Sequence, residues 1–182
     1  GDPLAGAFSK TRWSGLLVEP VPHLYQALAA RYRDRPNIAV ERAAISARDG
    51  EAPLFRLREI PGETPQWFNQ LATLDRTVLL KHREAIPNIE SLIVEEATPT
   101  ARLETLLTRH QVKGIDLLVI DTEGHDYEIL REIDFTRFRP FVVMFEHQHL
   151  NENDKAAAYA LVRAHGYTCV ETPEGDAIAW RI

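Results

Sequence analysis

The chain lacks several features that mark particular classes of protein. It has one cysteine, Cys169, so no internal disulfide can form, and this favours a reducing, cytoplasmic compartment. It has no apolar run of the ~18 residues that a membrane helix needs, and we expect no signal peptide at its start. It also has no basic run, and its net charge is −6. Nucleic acid and membranes are therefore unexpected partners.

The composition is that of one folded domain. The chain has 182 residues, of which 45% are apolar, enough for a sizeable core and far from the composition of a disordered protein. No internal repeat and no low-complexity linker divides the sequence, so we predict a single domain over residues 1–182. Within it, residues of about 59–90 show no regular period. Such a long irregular insertion is typical of a lid or a binding loop.

The clearest pattern lies between Ile115 and Leu130. Its first part is almost entirely apolar, which is typical of a strand buried on both faces in a parallel sheet. Asp121 ends the apolar run, and a turn containing Glu123 and Gly124 follows before helical spacing begins. Open α/β sheets bind ligands at the carboxyl ends of their strands. The sequence therefore predicts that Asp121 and Glu123 lie at a ligand site, although capping of the next helix would also explain Asp121.

A similar unit opens the chain, where a short apolar strand ends in Glu19 and a helix begins near Pro22. An acid at the end of the second strand of a nucleotide-binding fold accepts hydrogen bonds from the ribose hydroxyls, and it lies ~20 residues after the glycine-rich turn. Counting back from Glu19 reaches Gly1, so we expect the first strand and most of its glycine-rich loop to precede the chain. The alternative is that Glu19 only complements the dipole of the helix.

The third strand, within residues 38–45, supplies candidate neighbours for an adenine ring. Ala44 would form one wall and Pro20 the other, although ordinary core packing explains both equally well. In the irregular insertion, Trp67 and Phe68 could stack on a sugar or on an aromatic acceptor, or they could fix the loop to the core.

Four segments in this order resemble the FkbM-type family of methyltransferases: VEPVPHLYQAL, NIAVERAAIS, IDLLVIDTEGHDYEIL and FVVMFEHQHL. The resemblance covers nearly the whole chain. It implies S-adenosylmethionine as methyl donor and a hydroxyl group of a small molecule or a glycan as acceptor. It also implies a glycine-rich GANxG-type motif just ahead of Gly1, which would place Asp2 near the donor. A further segment, LATLDRTVLLKH, also resembles the family and places His82 near the acceptor.

The fold that we predict is α/β and Rossmann-like, with a doubly wound, mostly parallel sheet and an antiparallel C-terminal strand. Residues 167–171 and 177–180 alternate in hydropathy around a turn and predict a closing hairpin. A hairpin of this kind is the usual end of the methyltransferase version of the architecture. A dinucleotide-binding oxidoreductase ends in a parallel strand instead.

The fifth strand, Phe141–Phe145, is followed by a second polar cluster that should meet the first at one edge of the sheet. Transfer of a methyl group to a hydroxyl needs a base to receive the proton, and histidine titrates near neutral pH. His149 is a further candidate base. We predict two sets of site residues: for catalysis Asp121, Glu123, Glu146 and His147; for the donor Asp2, Glu19, Pro20, Ala44 and Asp121.

The sequence predicts no metal site. Asp121, Glu123, Glu146, His147 and His149 are all of metal-binding types, but neither an HExxH motif nor paired CxxC motifs are present. A divalent ion at this place would act by acidifying the acceptor hydroxyl.

Two other functions remain open from the sequence. One is an NAD-dependent oxidoreductase, which would use Glu19 in the same way. The other is a non-catalytic binding module that kept the Rossmann-like fold. The sequence does not name the acceptor, and it leaves a homo-oligomer open.

Overall fold

The computed structural model describes residues 13–58 and 64–182. The helices are Pro22–Tyr32 (α1), Arg76–Leu80 (α2), Ile89–Leu92 (α3), Leu103–Arg109 (α4), Asp126–Leu130 (α5) and Glu152–Ala164 (α6), with 3-10 helices at Gln66–Gln70 and Lys81–Glu84. Across the described ranges, no helix combines the length and the apolar character that crossing a membrane requires.

The strands are Gly15–Val18 (β1), Ile38–Glu41 (β2), Ala44–Ile45 (β3), Gly50–Leu57 (β4), Ala72–Thr73 (β5), Ile93–Ala101 (β6), Leu117–Ile120 (β7), Val142–Glu146 (β8), Thr168–Glu171 (β9) and Asp176–Trp180 (β10). Among the described residues, hydrogen bonds join the strands into three sheets, with the strand orders β1-β2, β3-β6-β4-β5 and β7-β8-β10-β9. The pairs β1–β2, β3–β6 and β7–β8 are parallel, and the other pairs are antiparallel.

The predicted α/β class is confirmed, since helices alternate with strands that pair in both directions. One continuous, doubly wound and mostly parallel sheet stays a prediction, because the described strands are divided among separate sheets. Strand β4 accounts for this division into separate sheets. It pairs antiparallel with β6 along its whole length, so a local antiparallel meander lies beside the short parallel pair β3–β6.

The closing hairpin is where the sequence predicts it. Strand β10 lies between β8 and β9 and is antiparallel to both. Phe145 and Val143 on β8 face Ala177 and Ala179 on β10, and all four side chains are buried. Small residues opposite large ones let the helices pack closely on this face. Among the described residues, the last strand thus differs from the parallel last strand expected of an oxidoreductase.

The main core lies against the sheet β7-β8-β10-β9. Helices α4, α5 and α6 contribute buried side chains to it, and they cover the face that carries Phe145. A long-range cap fixes α4: the carboxylate of Asp49 accepts hydrogen bonds from the backbone N–H of Arg102 at 2.8 Å and from the hydroxyl of Thr105 at 2.9 Å. Helix packing thus covers one face of the sheet.

The insertion has a smaller core of its own. Leu57, Phe68, Leu79 and Ile89 pack together there, and short helices and strand β5 occupy much of the segment. Residues 64–90 therefore carry short helices and a short strand, residues 59–63 lie outside the described part, and an insertion at about 59–90 stays a prediction. Short helices with buried leucines have too few turns to show a period in the sequence.

Candidate active site

Three carboxylates lie side by side where β7 and β8 end. The parallel register pairs Ile120 with Phe145, so the next positions, Asp121 and Glu146, are neighbours. On the other side of β8, Asp176 pairs directly with Glu146. The predicted convergence of Asp121 and Glu146 is thus seen in the structure, and β10 adds a third acid to the row.

The crowding of these acids changes their protonation. Burial raises the pKa of Asp121, and the nearby charges of Glu123 and Asp176 raise it further. Burial, followed by the charges of Glu123, Asp121, Asp126 and Asp176, raises the pKa of Glu146 to about 9. A site of this kind favours a bound cation, because a positive charge relieves the repulsion between the carboxylates.

Asp126, the first residue of α5, fastens the two strand ends together. Its carboxylate is fully buried and accepts hydrogen bonds from the hydroxyl of Thr122 at 2.9 Å and from the backbone N–H of Glu146 at 3.1 Å. Burial raises the pKa of Asp126 to about 6, against the lowering effect of the bond from Thr122. The residue at the N-cap of α5 is His125, so helix capping does not explain Asp121.

The turn between β7 and α5 has an unusual backbone. Glu123, which is not glycine, has a φ of 53°, and Gly124 has a φ of 96°. A left-handed conformation costs a residue with a Cβ ~1–2 kcal/mol, and here the hydroxyl of Thr73 holds the carbonyl of Glu123 at 2.9 Å. A Cβ on Gly124 would lie 3.1 Å from Val78 and 3.5 Å from His149. The glycine therefore permits α2 and the segment after β8 to approach the turn.

His149 meets Glu123 across this turn. Its Nε2 lies 3.0 Å from Oε2 of Glu123 and 3.7 Å from Oε1 of Glu146, and the residue is only 8% exposed. The side chain of Lys81 donates a hydrogen bond to the carbonyl of His149 at 2.8 Å, which fixes the backbone. A buried imidazole beside carboxylates is the usual arrangement of a general base and the groups that orient it.

The insertion brings a second histidine to the same place. The rings of His82 and His149 have their centroids 5.3 Å apart, and the ring of Trp67 is 6.3 Å from that of His82. Burial lowers the pKa of His82, and the neighbouring His149 lowers it further. Of the two aromatic residues, Phe68 is buried and fixes the loop, whereas Trp67 is 39% exposed.

His147, which the sequence places at the reaction centre, lies elsewhere. Its ring centroid is 5.9 Å from that of Tyr159 on α6, and Phe145 contacts the same tyrosine at 5.6 Å. Because side chains alternate along a strand, His147 follows Phe145 toward the core while Glu146 points to the other face. The structure brings together Asp121, Glu123 and Glu146 but separates His147 from them.

A family model for the methyltransferase FkbM domain matches residues 1–169. The chain belongs to this family. It is therefore of a methyltransferase family, as the resemblance in the sequence implies. No solved structure matches the chain.

One curated protein is similar over a short stretch. Gamma-glutamyl phosphate reductase of Acidiphilium cryptum (strain JF-5) is 38% identical over 56 residues, which are 30% of this chain and 13% of the reductase. The chain thus spans about an eighth of the length of this relative. A match of this extent shows neither a common family nor a common activity.

The donor residues expected of an FkbM-type domain are only partly described. Glu19 follows β1 and is half-buried, and its Oε1 accepts a hydrogen bond from the backbone N–H of Val21 at 2.8 Å. Pro20 is half-buried beside it, whereas Ala44 is only 6% exposed and offers little surface to an adenine ring. Asp2 lies outside the described residues. The donor roles stay predictions.

Two residues of the site, His82 and Asp126, could not be assigned to it from sequence patterns alone, for different reasons. His82 appears there only as a candidate suggested by family resemblance, since no spacing links it to the distant Glu123 and His149. Asp126 looks like an ordinary acid in the first turn of a helix. The sequence does indicate a role for Asp126. Thr122 and Asp126 are four residues apart in a turn that follows a buried strand, and this spacing suits a local hydrogen bond between the two side chains.

Proposed function

We propose that this chain is an S-adenosylmethionine-dependent O-methyltransferase that acts on a hydroxyl group of a small molecule or a glycan. Membership of the FkbM family supports methyl transfer. The observation that carries the choice of a hydroxyl acceptor is the pair of His149 and Glu123, 3.0 Å apart and buried at the ends of two parallel strands. Such a pair suits the removal of a proton from an alcohol.

S-adenosylmethionine, when bound, supplies a methyl group on a positively charged sulfur. The carboxylates of Asp121 and Glu146 give this edge of the sheet a negative potential, which attracts a cationic donor. The imidazole of His149 would receive the proton of the acceptor hydroxyl. The negative charge of Glu123, whose Oε2 lies 3.0 Å from Nε2 of His149, would then stabilise the imidazolium.

Glu19 fits the ribose of the donor. Burial raises its pKa, so the carboxylate gains from hydrogen-bond donors such as two ribose hydroxyls. The hydrogen bond from the backbone N–H of Val21 fixes the orientation of the carboxylate at Oε1. Pro20 would form one wall of the adenine pocket and Ala44, with the little surface that it exposes, the other. Asp2 would lie toward the methionine end of the donor.

Trp67 is the residue that we assign to the acceptor. Its indole is partly exposed and lies beside His82 at the mouth of the site. An exposed aromatic face next to polar groups is suited to stacking on a sugar or on an aromatic ring. The insertion would thus select the acceptor, while β7 and β8 perform the chemistry.

Calorimetry with S-adenosylmethionine and with S-adenosylhomocysteine, on the full-length protein, tests donor binding directly. Methyl transfer is then measured against a panel of hydroxylated sugars and phenols for the wild type and for His149→Gln. We expect the variant to lose at least ~100-fold in turnover with little change in donor affinity.

The matched control is His165→Gln, which changes an exposed histidine at the end of α6 and should leave turnover unchanged. A folded protein that binds neither nucleoside would overturn the proposal and favour a non-catalytic binding module. Full turnover in His149→Gln would remove the base role from His149.

A further inference from the structure

The histidine–carboxylate cluster contains two overlapping sets of metal-binding side chains. His82, Glu123 and His149 each offer one ligand atom, and these atoms lie within 4.8 Å of one another. Asp121, Glu123 and Glu146 form a second set with the same property. Glu123 belongs to both, so one compact region of the site collects two imidazoles and three carboxylates.

Several polar atoms of this cluster are buried without a hydrogen bond. Within the described residues, Nε2 of His82, Oε2 of Glu123 and Oε2 of Glu146 have no hydrogen-bond partner and almost no access to solvent. A buried polar atom left without a partner costs ~1–3 kcal/mol. His82 and Glu123 belong to the first set and Glu123 and Glu146 to the second, so a cation bound there would satisfy atoms that the protein leaves without a partner.

The contact between His149 and Glu123 also indicates a bound ion. Nε2 and Oε2 are 3.0 Å apart, yet Oε2 of Glu123 does not receive a hydrogen bond of acceptable geometry. Ligand atoms that surround one Zn²⁺ at ~2.0–2.1 Å in a tetrahedron are ~3.4 Å apart. The observed spacing is therefore comparable to that of two ligands of one ion, and His82 offers a ligand atom within 4.8 Å of both.

The donor set selects the kind of cation. Two imidazole nitrogens and one carboxylate suit Zn²⁺, Fe²⁺, Co²⁺ or Mn²⁺, whereas Mg²⁺ and Ca²⁺ prefer sites made of oxygen alone. Catalytic zinc sites hold the metal by three protein ligands and keep one position open. The ammonium group of Lys81 donates a hydrogen bond to the carbonyl of His149. Asp121 and Glu146, on the adjoining side, supply negative charge that attracts a cation.

We propose that His82, Glu123 and His149 bind one divalent transition-metal ion, with Asp121 and Glu146 lining its open side. Binding of the ion is independent of the methyl transfer proposed above, whereas its role in the reaction rests on that proposal. The bound ion would coordinate the acceptor oxygen and lower the pKa of the hydroxyl. His149 would then act as a ligand, and Asp121 would receive the proton in its place.

Titration calorimetry on full-length protein freed of metal by EDTA and dialysis tests the site. We expect Zn²⁺ and Co²⁺ to bind with one ion per chain, and Mg²⁺ to bind at least tenfold more weakly. Co²⁺ should also give the visible absorption of a site with nitrogen ligands. His82→Ala and His149→Ala should each weaken Zn²⁺ binding at least tenfold, and His165→Ala should leave it unchanged.

Circular dichroism of each variant shows that a loss of binding is not a loss of fold. His82→Asn provides a milder second variant, since it keeps a polar side chain but removes the imidazole. The proposal is overturned when the folded wild type binds no ion. It is also overturned when the variants at His82 and His149 bind Zn²⁺ as tightly as the wild type does, since the bound ion would then be an adventitious ion only.

The two proposals fail in different ways. Methyl transfer that persists in EDTA, together with an absence of metal binding, overturns the metal site and leaves the methyltransferase intact. Stoichiometric Zn²⁺ binding lost in His82→Ala, together with an absence of nucleoside binding, supports the metal site and overturns the methyltransferase.

Discussion

Glu146 should make the protein less stable as the pH rises, and replacing it with glutamine should remove this effect. Its pKa is raised from 4.5 to about 9, so between these values the folded state keeps a proton that the unfolded chain releases. Stability falls with pH wherever the folded state binds more protons. The contribution of Glu146 is therefore fully present at low pH and decreases as the pH rises from 4.5 toward 9.

The size of the effect follows from the width of this window. Each pH unit within it corresponds to ~1.4 kcal/mol, so a change from ~pH 5 to ~pH 8 corresponds to at most ~4 kcal/mol. The side chain is 14% exposed, and screening by water reduces the repulsion among the acids. We therefore expect about half, ~2 kcal/mol, as the difference between the wild type and Glu146→Gln across this range.

Urea denaturation in EDTA at several pH values measures this difference. Glutamine matches glutamate in size and carries no charge, so Glu146→Gln should gain stability over the wild type as the pH rises. Glu95→Gln, which changes an exposed acid on β6, should show a difference that is constant with pH. A difference in stability between Glu146→Gln and the wild type that stays constant or shrinks as the pH rises would refute the conclusion that burial and the neighbouring acids raise the pKa of Glu146.

Two further substitutions test the framework of the site by urea denaturation. Gly124→Ala should cost ~1–3 kcal/mol, because φ is positive and the new Cβ would lie 3.1 Å from Val78, whereas Gly114→Ala meets no atom within 4 Å and should be nearly neutral. Equal effects of the two alanines would contradict the close approach at the turn. Phe145→Ala should cost ~3–5 kcal/mol, since it leaves a cavity in the main core, and Val170→Ala at an exposed position should cost far less. A small loss for Phe145→Ala would show that this face of the sheet is loosely packed.

The strands that position the site could be predicted because buried strands have recognisable patterns of apolar residues in their sequences. The apolar run before Asp121 became β7, and the alternating segments at the C-terminus became the antiparallel strands β9 and β10. Asp121 and Glu146 could be placed together for the same reason, since parallel neighbouring strands end at one edge. Their proximity needed no information beyond strand order.

The remaining parts of the site depend on contacts that sequence patterns do not record. His82 arrives from a segment of short helices whose packing on Leu57 and Ile89 is set by tertiary contacts. The choice between His147 and His149 is different, since the alternation of side chains after Phe145 already indicated that His147 would face the core. The same alternation would place His149 on the core side as well, so its position beside Glu123 depends on the turn that follows β8.

A crystal structure of the full-length protein with S-adenosylhomocysteine tests the central claim most directly. We expect the ribose hydroxyls to bind Glu19 and the sulfur to face the cluster of Asp121, Glu123 and His149 at the ends of β7 and β8. A nucleoside bound at another edge of the sheet, with these side chains facing only solvent, would contradict it.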